Sequence, residues 1–490
     1  MSVSATHPDY DKSKFRWKRC RDVIDGRDAI LSAARRSDRI RGSLFSGDRL
    51  VDLYLPRLKG QDDEEYFAYA ERASFFNATS RTVEAMTGLV FMRDPVVKLP
   101  PAMAEIEDDI TLQGTGLREF AEEVVEQVMD VGRVGMMLDY PASAPKGLTV
   151  AAAEAANIRP FLRWYQSERI LNWRCGVVNG RKVLTMVVLE EEHERPVDEF
   201  TSEAVTKHRV LSLDGGAYRV RLFSDDVVEL DEYPTQNGAP MDYIPFIILG
   251  PQGSTPDVQK PPLLDLVDTN LSHYRNSADH EHGLHFTGLP TPYVAGVQLE
   301  DGKTIELGST QLLVFSDPEA RVGFMEFTGE GLAALERAME AKERRMAVLG
   351  ARMLSDEKSA PEAYGTVELR TAGERSALGS VSKAASDAVS RLLRWMAEWM
   401  GAGGEVEFSL NTDFGASKIQ PDLLEKLFKG YQTNAIPLEV LFENLKAGEI
   451  VSPDMDFERY QSQLGEDAQT MAAAGMFQAP ALDDAAGPEG

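Results

Sequence analysis

Four histidines, His273, His280, His282 and His285, fall in one short segment, and a His-x-His pair with a third imidazole could bring three nitrogen ligands to a zinc ion. Two features argue against a metal centre. No cysteine accompanies them, and on a helix this spacing turns His280 and His282 to different faces. They are read as ordinary interface or surface histidines. Gly296 and Gly302-Lys-Thr304 approach the loop that cradles nucleotide phosphates, but five residues separate the glycines where that cradle requires four. Asp301-Gly302 is read instead as a turn between strands. The runs Asp62-Asp-Glu-Glu65, Glu107-Asp-Asp109 and Glu190-Glu-Glu192 have the chemistry of a nuclease's metal carboxylates, yet adjacent acids on one segment read as solvated faces. No Gly-x-Ser-x-Gly elbow, His-Glu-x-x-His pair or Cys-x-x-Cys pair is present. The expectation is a protein that is not an enzyme, with no catalytic residue, no metal and no cofactor.

The elements that position these residues lie between Pro261 and Met400. The pattern predicts a helix, an insert of short strands, a second helix, a polar loop and a long third helix. In the second helix, Leu332, Leu335, Met339, Met346, Leu349 and Met353 recur at three, four or seven residues, one stripe of a 3.6-residue period, which predicts a buried face. Glu336, Arg337, Glu340, Glu343, Arg344 and Arg345 stand between them, and Glu340 and Arg344 form a favourably ordered i,i+4 pair. That face is charged and wet. The loop Ser355 to Thr366 is polar, interrupted by proline and without periodicity. From about Thr366 to Met400 a third helix is expected, about 50 Å long if unbroken. Small residues (Ala372, Gly373, Ser376, Ala377, Gly379, Ser380) crowd its first half, and Val381, Ala385, Ala388, Leu392, Met396 and Trp399 form an apolar stripe further on.

At 490 residues and 43% hydrophobic content the chain has enough material for two or three domains with proper cores. A net charge of -27 argues against a sequence-reading DNA binder, which needs a basic surface, though it suits a wall past which DNA slides. The two cysteines, Cys20 and Cys175, make no disulfide framework and are expected to be reduced. No run of eighteen apolar residues and no signal peptide is found, so the expectation is a soluble, untargeted protein.

Against the overall charge, residues 1–45 are basic: Lys12, Lys14, Arg16, Lys18, Arg19, Arg21, Arg27, Arg35, Arg36, Arg39 and Arg41 outnumber nearby acids. This basic arm reads either as a contact for an acidic neighbour or nucleic acid, or as a solvated helix face. Trp17 and a helix around Asp22 to Ala34 favour docking over disorder. Next come a short rigid segment, Tyr54-Leu-Pro-Arg-Leu58, and a helical stretch with Tyr66, Tyr69, Ala73, Phe76 and Asn77 on a core stripe. A helix from Asn77 is expected to close on Gly88, and another carries Leu117, Phe120, Val124 and Val128 on one face. Strands are expected at Arg133 to Pro141, Phe161 to Trp164, Val183 to Leu189, Val210 to Leu213, Tyr218 to Phe223 and Tyr243 to Leu249, with a hairpin turn at Asp214-Gly215-Gly216. Together they indicate an α+β domain ending near Gly250. After Gly401-Ala-Gly-Gly404 follow a strand at Val406 to Leu410, helices at Pro421 to Tyr431 and Leu438 to Lys446, and a tail from Ala468 too rich in Ala, Gly, Pro and Asp to pack.

Five fragments in order carry a family resemblance: Tyr54-Leu-Pro-Arg-Leu58, the Tyr-x-x-Tyr-x-x-Arg-Ala-x-Phe run from Tyr66, Arg81-Thr-Val, Gly88-x-Val-Phe91, and Gly132-Arg-x-Gly-x-x-x-Asp-x-Pro141. With Leu445-Lys-Ala-Gly-Glu-Ile450 further on, the chain up to about residue 460 resembles a portal-protein family of tailed bacteriophages, long catalogued as a domain of unknown function. The resemblance implies a portal fold with an α/β wing (46–250), a first stem helix (251–286), a strand-containing clip (287–331), a second stem helix (332–354), a tunnel loop (355–366), a long wing helix and strand (367–415), a helical crown (416–467) and a flexible tail (468–490). It implies a homo-oligomeric ring, usually of twelve subunits, at one capsid vertex of the virion, assembled in the host cytoplasm, with no membrane. Double-stranded DNA would pass through it non-specifically during packaging and ejection. Partners implied are the terminase large subunit, head-tail adaptor or neck proteins, and the major capsid and scaffold proteins. Within that frame Glu357, Lys358 and Tyr364 are the expected tunnel-loop contacts to DNA, and Glu336, Glu340 and Arg344 the expected stem contacts to a neighbouring subunit. The competing readings are another minor capsid component, or a phage nuclease or NTPase, which the missing motifs disfavour.

Overall fold

A computed structural model describes residues 2–35, 54–141, 156–178, 180–236, 238–288, 291–295, 321–325, 329–354, 376–414, 421–433, 435–447, 450–451 and 455–463. The chain divides into two compact units, Met1–Phe414 and Gly415–Gly490. The fold is mixed α and β, as the element pattern predicts.

The first unit opens with helices α1 (Pro8–Asp25), α2 (Arg27–Arg35), α3 (Asp63–Arg72) and α4 (Ala78–Val90), then strand β1 (Val96–Lys98), helix α5 (Leu117–Val131) and strands β2 (Val134–Asp139) and β3 (Phe161–Gln166). A meander of long strands follows: β4 (Ile170–Val178), β5 (Arg181–Pro196), β6 (Ser202–Asp214), β7 (Ala217–Ser224) and β8 (Val227–Glu232). Short strands β9 (Thr235–Gln236) and β10 (Ala239–Pro240) lead to β11 (Phe246–Gly250) and β12 (Gly253–Ser254). Then come α6 (Leu264–Gly288), β13 (Thr291–Ala295), β14 (Arg321–Met325), α7 (Leu332–Ala351), α8 (Ala377–Met400) and β15 (Glu407–Ser409).

The organising layer is a four-stranded antiparallel sheet ordered β12-β11-β2-β3. Strand β2 is apolar at almost every position because both of its faces are covered. Val134, Met136 and Leu138 face the core built with α5 and α8, while Met137 joins Ile248 and Tyr165 on the opposite face, against the five-stranded sheet β4-β5-β6-β7-β8. Helix α5 buries Leu117, Phe120, Val124 and Val128, the predicted stripe, and stops at Gly132, whose φ of +72° caps the helix with an N–H donated to the Val128 carbonyl at 2.9 Å. A Cβ there would also lie 3.0 Å from Pro261 Cα, so only glycine fits.

Helix α8 starts at Ala377, and positions 366–375 of the expected helix lie outside the described residues. Ser376 has extended backbone and its Oγ accepts the Gly379 N–H at 3.0 Å, an N-cap that breaks any helix running through it. Its predicted stripe is otherwise in place: Val381, Ala385, Ala388, Leu392 and Met396 are buried and Trp399 packs at the edge. Serines on the next face tie down the returning strand. Ser382 Oγ donates to the Asn411 carbonyl at 2.6 Å, Ser386 Oγ accepts the Leu410 N–H at 2.9 Å, and Ser390 Oγ donates to the Phe408 carbonyl at 2.9 Å. That strand, β15, pairs antiparallel with β1 and so closes the unit.

Several boundaries differ from expectation for local reasons. The aromatic stretch from Tyr66 is not one helix: it ends at Arg72, and Asn77 caps the next helix by accepting the Ser80 N–H at 3.1 Å, which leaves Phe76 37% exposed instead of in the core. Helix α4 then runs through Gly88 to Val90, since its C-terminal turn is completed by the Phe91 N–H on the Thr87 carbonyl. Strands β4 and β8 were not anticipated, because their alternation is interrupted by bulges at Ile170/Asn172, Arg174/Cys175 and Leu222/Phe223. The turn at Gly215-Gly216 is as expected, with φ of +59° and +88°.

The described part of the basic arm is docked. Trp17, Cys20, Val23 and Ile30 are buried with Tyr54, Tyr66, Tyr69 and Tyr274. Its cations meet acids of the same chain: Lys12 with Asp9, Lys14 with Asp11, Lys18 with Asp22, Arg19 with Asp268 and Arg21 with Glu168. Residues 36–45 lie outside the described residues.

In the second unit, α9 (Pro421–Gln432) and α10 (Leu438–Ala447) form a helical pair, with Leu441, Phe442 and Leu445 buried and Phe442 beside Phe457 and Tyr460. The expected tail from Ala468 lies outside the described residues.

Candidate functional site

Helices α6 and α7 form a stalk rooted in the core. Helix α6 is held at its base by groups that pair buried backbone. Asn270 Oδ1 accepts the Thr79 N–H and hydroxyl at 3.2 and 3.0 Å, and its Nδ2 donates to the Phe76 carbonyl at 2.8 Å. Ser277 Oγ accepts the Ser74 N–H at 2.8 Å, and Tyr69 donates to Asp279 at 2.5 Å. These bonds satisfy polar groups that would otherwise be stranded between helices. Beyond Ala278 the apolar cover thins, and Leu284 and Phe286 are about half exposed.

Helix α7 returns antiparallel along α6. Gly283 lies against Leu332, His280 Nε2 is 3.3 Å from Glu336, His273 Nε2 is 3.2 Å from Glu343, and Lys342 Nζ donates to the Ser272 carbonyl at 2.8 Å. A Cβ on Gly283 would sit 2.5 Å from Leu332 Cδ2, so the glycine permits the close crossing. At the free end β13 and β14 pair antiparallel from Thr291–Met325 to Ala295–Arg321. This is the predicted order of helix, strand insert and helix.

The buried face expected on α7 is only partly realised. Met346 and Met353 are buried where the helix rejoins the core, but Leu332, Leu335, Met339 and Leu349 are half-buried. A single neighbouring helix covers too little of the cylinder to bury a whole stripe. Of the expected stem contacts, Glu336 faces His280 within the chain, while Glu340 and Arg344 are 3.9 Å apart and 63% and 75% exposed. Arg337, Ala341, Arg345 and Val348 continue the exposed strip.

Glu357, Lys358 and Tyr364 lie outside the described residues, as do Gly296 to Thr304. Of the described residues on either side, Met353 and Leu378 share one buried cluster. The four histidines do not converge. His273 and His280 face α7, whereas His282 packs edge-on against Tyr69 and Phe286. Burial holds the His282 imidazole below its ordinary pKa. Among the described residues no group of three or more His, Cys, Asp or Glu side chains is placed to hold a metal ion.

The acidic runs have structural roles. Asp62 and Glu65 form the capping box of α3. Asp109 Oδ1 accepts the Gln113 and Gly114 N–H groups. In β5 the alternation divides Glu190 and Glu192, which meet Arg169, from Glu191, which turns inward. Sequence reasoning missed that inward site. Arg209 Nε donates to Glu191 Oε1 at 2.7 Å, Tyr165 donates to the same carboxylate at 2.7 Å, and Arg163 and Asp139 complete the cluster. Burial pushes the Glu191 carboxyl up, but the hydrogen bonds and charge of Arg209, with Tyr165 and Arg163, outweigh it and bring its pKa down to about 2. The only signal in the sequence was the period-two alternation through Glu191 and Arg209.

Residues 262–400, from the root of the stalk to the end of α8, match a protein family described as a domain of unknown function (DUF4055). No curated protein matches the chain. Among solved structures it is similar to a chain from the neck of an empty gene transfer agent (GTA) particle computed with C6 symmetry, at 13% identity and a TM-score of 0.37 over 81% of this chain and 92% of that one. It is also similar to a chain from the virion of a native GTA particle (16%, 0.35, 77% and 91%) and to one from the neck of a native GTA particle computed with C12 symmetry (13%, 0.35, 74% and 86%).

Proposed function

We propose that this chain is the subunit of a phage portal: a ring at one capsid vertex through which double-stranded DNA is packaged and later ejected, and on which the packaging motor and the neck proteins dock. The observation that carries the reading is the antiparallel stalk of α6 and α7, with a strand pair at its free end and its root in the same core that receives α8. A stalk whose outer strip is charged and uncovered in the single chain is built to stand beside copies of itself. The motif series quoted above supports it, and the family match covers the same stalk, loop and helix. No chemistry is assigned to the chain; DNA is cargo, and a net charge of -27 suits a conduit that repels phosphate.

The test is the mass of the purified protein followed by two-dimensional class averages. Twelve copies of 54.2 kDa, about 650 kDa, with a central hole is the expected result. A monomer or dimer at every concentration, alone and with the capsid and scaffold proteins present, would overturn the reading. Within the ring, Lys358, Glu357 and Tyr364 are proposed to touch the sliding backbone, where one cation per subunit gives transient contact without a deep energy well. Lys358→Ala is expected to change DNA packaging or retention in a phage complementation assay while ring mass stays the same. Unchanged packaging and retention would remove the assigned role.

A further inference from the structure

Strands β5 and β6 outrun their neighbours. Strand β4 pairs with β5 only as far as Leu189, and β7 pairs with β6 only from Lys207 onward, so beyond the buried Glu191 residues 192–196 and 202–206 project as a two-stranded ribbon. The turn at its end is stiff. Val197 N–H donates to the Thr201 carbonyl at 2.8 Å, and Asp198 Oδ1 accepts the N–H groups of Phe200 and Thr201 at 2.8 and 2.9 Å. This turn holds Phe200 91% exposed, beside Val197 at 60%. A preorganised aromatic side chain left in water on a projecting tip is the usual form of an interface anchor, not of a core residue. Around it stand Glu194, Asp198, Glu199 and Glu203, with Arg195 the one cation.

The complementary surface lies at the other end of the same strand. The start of β5, the Tyr243 segment and α8 enclose a groove of about 630 Å³ with Tyr243 and Trp395 in its wall. Their rings pack at 5.0 Å. Arg181, Lys182 and Arg391 also line it, opposed by Asp242, and among the described residues none of the three cations is in an ion pair. On a chain with a net charge of -27 this is a local basic, aromatic site that fits an acidic tip with a phenyl ring. The tip cannot reach the groove of its own chain: β5 runs between them from Arg181 to Pro196, paired with β4 over its first part and with β6 from Met186 onward, about 50 Å of strand at ~3.4 Å per residue.

We propose that the Phe200 tip of one copy of this chain docks in the Trp395 groove of a second copy. The contact joins two different patches, so it is heterologous and propagates head to tail until it closes as a ring. It rests on the ring reading above and specifies which surfaces of the first unit meet.

Cys175 lines the groove and is partly exposed, whereas the other cysteine, Cys20, is buried, which raises its thiol pKa to about 12 and leaves it inert. The full-length variant Ser202→Cys, which leaves Phe200 and the acidic side chains of the tip in place, is therefore expected to give a ladder of covalent multimers on a denaturing gel after treatment with a bis-maleimide. The wild type and the double variant Ser202→Cys, Cys175→Ser should give none. Ser202 is exposed at the start of β6, so the near-isosteric variant keeps its fold. A ring by mass with no ladder, or a ladder that survives Cys175→Ser, overturns this contact and leaves the ring reading standing. Absence of both ring and ladder overturns the two together.

Discussion

Replacing Arg209 by leucine is expected to destabilise the first unit by about 3–5 kcal/mol at pH 7, the range for removing one partner of a buried ion pair. Arg209 is the main counter-charge of Glu191, which is 9% exposed and receives hydrogen bonds from Arg209 and Tyr165. Without Arg209 the carboxylate keeps Arg163 at 3.6 Å, the Tyr165 hydroxyl and His193 Nε2 at 3.1 Å, none of which replaces the two-pronged guanidinium contact. The wild-type contribution has a defined pH window. Glu191 has a folded pKa of about 2, below its ordinary 4.5, so its stabilisation is full above about pH 4.5 and is lost as pH falls through 2. The double variant Glu191→Gln, Arg209→Leu should recover part of the loss, since the one carboxylate then left in the cluster, Asp139, still has Arg163 at 3.9 Å. Urea unfolding followed by tryptophan fluorescence reads this unit directly, because all five tryptophans lie before Gly415. A single-variant loss below about 1 kcal/mol would show that the cluster is solvated and carries little.

The opposite sign is expected at Asp130. This carboxyl lies under the N-terminal helix, its Oδ1 is buried without a hydrogen-bond partner, and Arg21 stands 3.6 Å from Oδ2 with its own fork committed to Glu168 at 2.6 and 3.0 Å. Burial pushes its pKa up to about 7; Arg21 opposes the shift, and Glu126, Asp25 and Glu168 add to it. A folded pKa above the unfolded one means that stability is full below about pH 4 and is lost as pH rises through 7. Asp130→Asn, neutral at every pH, should therefore gain about 3–4 kcal/mol over the wild type at pH 8.5, and the gain should shrink by about 1.4 kcal/mol at pH 6. Denaturation midpoints at the two pH values check it. A variant that is destabilised at both would mean that Arg21 needs the Asp130 charge more than burial penalises it.

These two sites show where reading from sequence stops. The stripes of α5 and α8 are legible because each helix buries one face against a sheet, and a period of 3.6 in apolar residues suffices to mark it. The stalk is legible as an order of elements, but the burial of α7 is not, because the same stripe pattern fits a helix covered by one neighbour or by three. The small residues around Ser376 are compatible with a close crossing or a bend, and it is the extended backbone at that one serine that makes it the cap of α8. The acidic runs were legible only as charge. Whether Glu191 lies in water or beside Arg209 depends on which face of β5 meets the second sheet, and one residue of register exchanges the two answers.

The sequence by itself determined the element order from the helical N-terminus through the strands to the stalk, the absence of familiar catalytic motifs, and the resemblance on which the portal reading rests. Periodicity, caps and turn residues are local, so they survive without coordinates. Only the tertiary structure decided which charges are paired, that the described basic arm is docked, that the histidines diverge, and that a phenyl-tipped ribbon and a basic aromatic groove sit at opposite ends of one strand. Those outcomes depend on side chains far apart in the chain meeting across a sheet or a helix crossing, and on strand pairing that fixes distance, neither of which is written in any short stretch of residues.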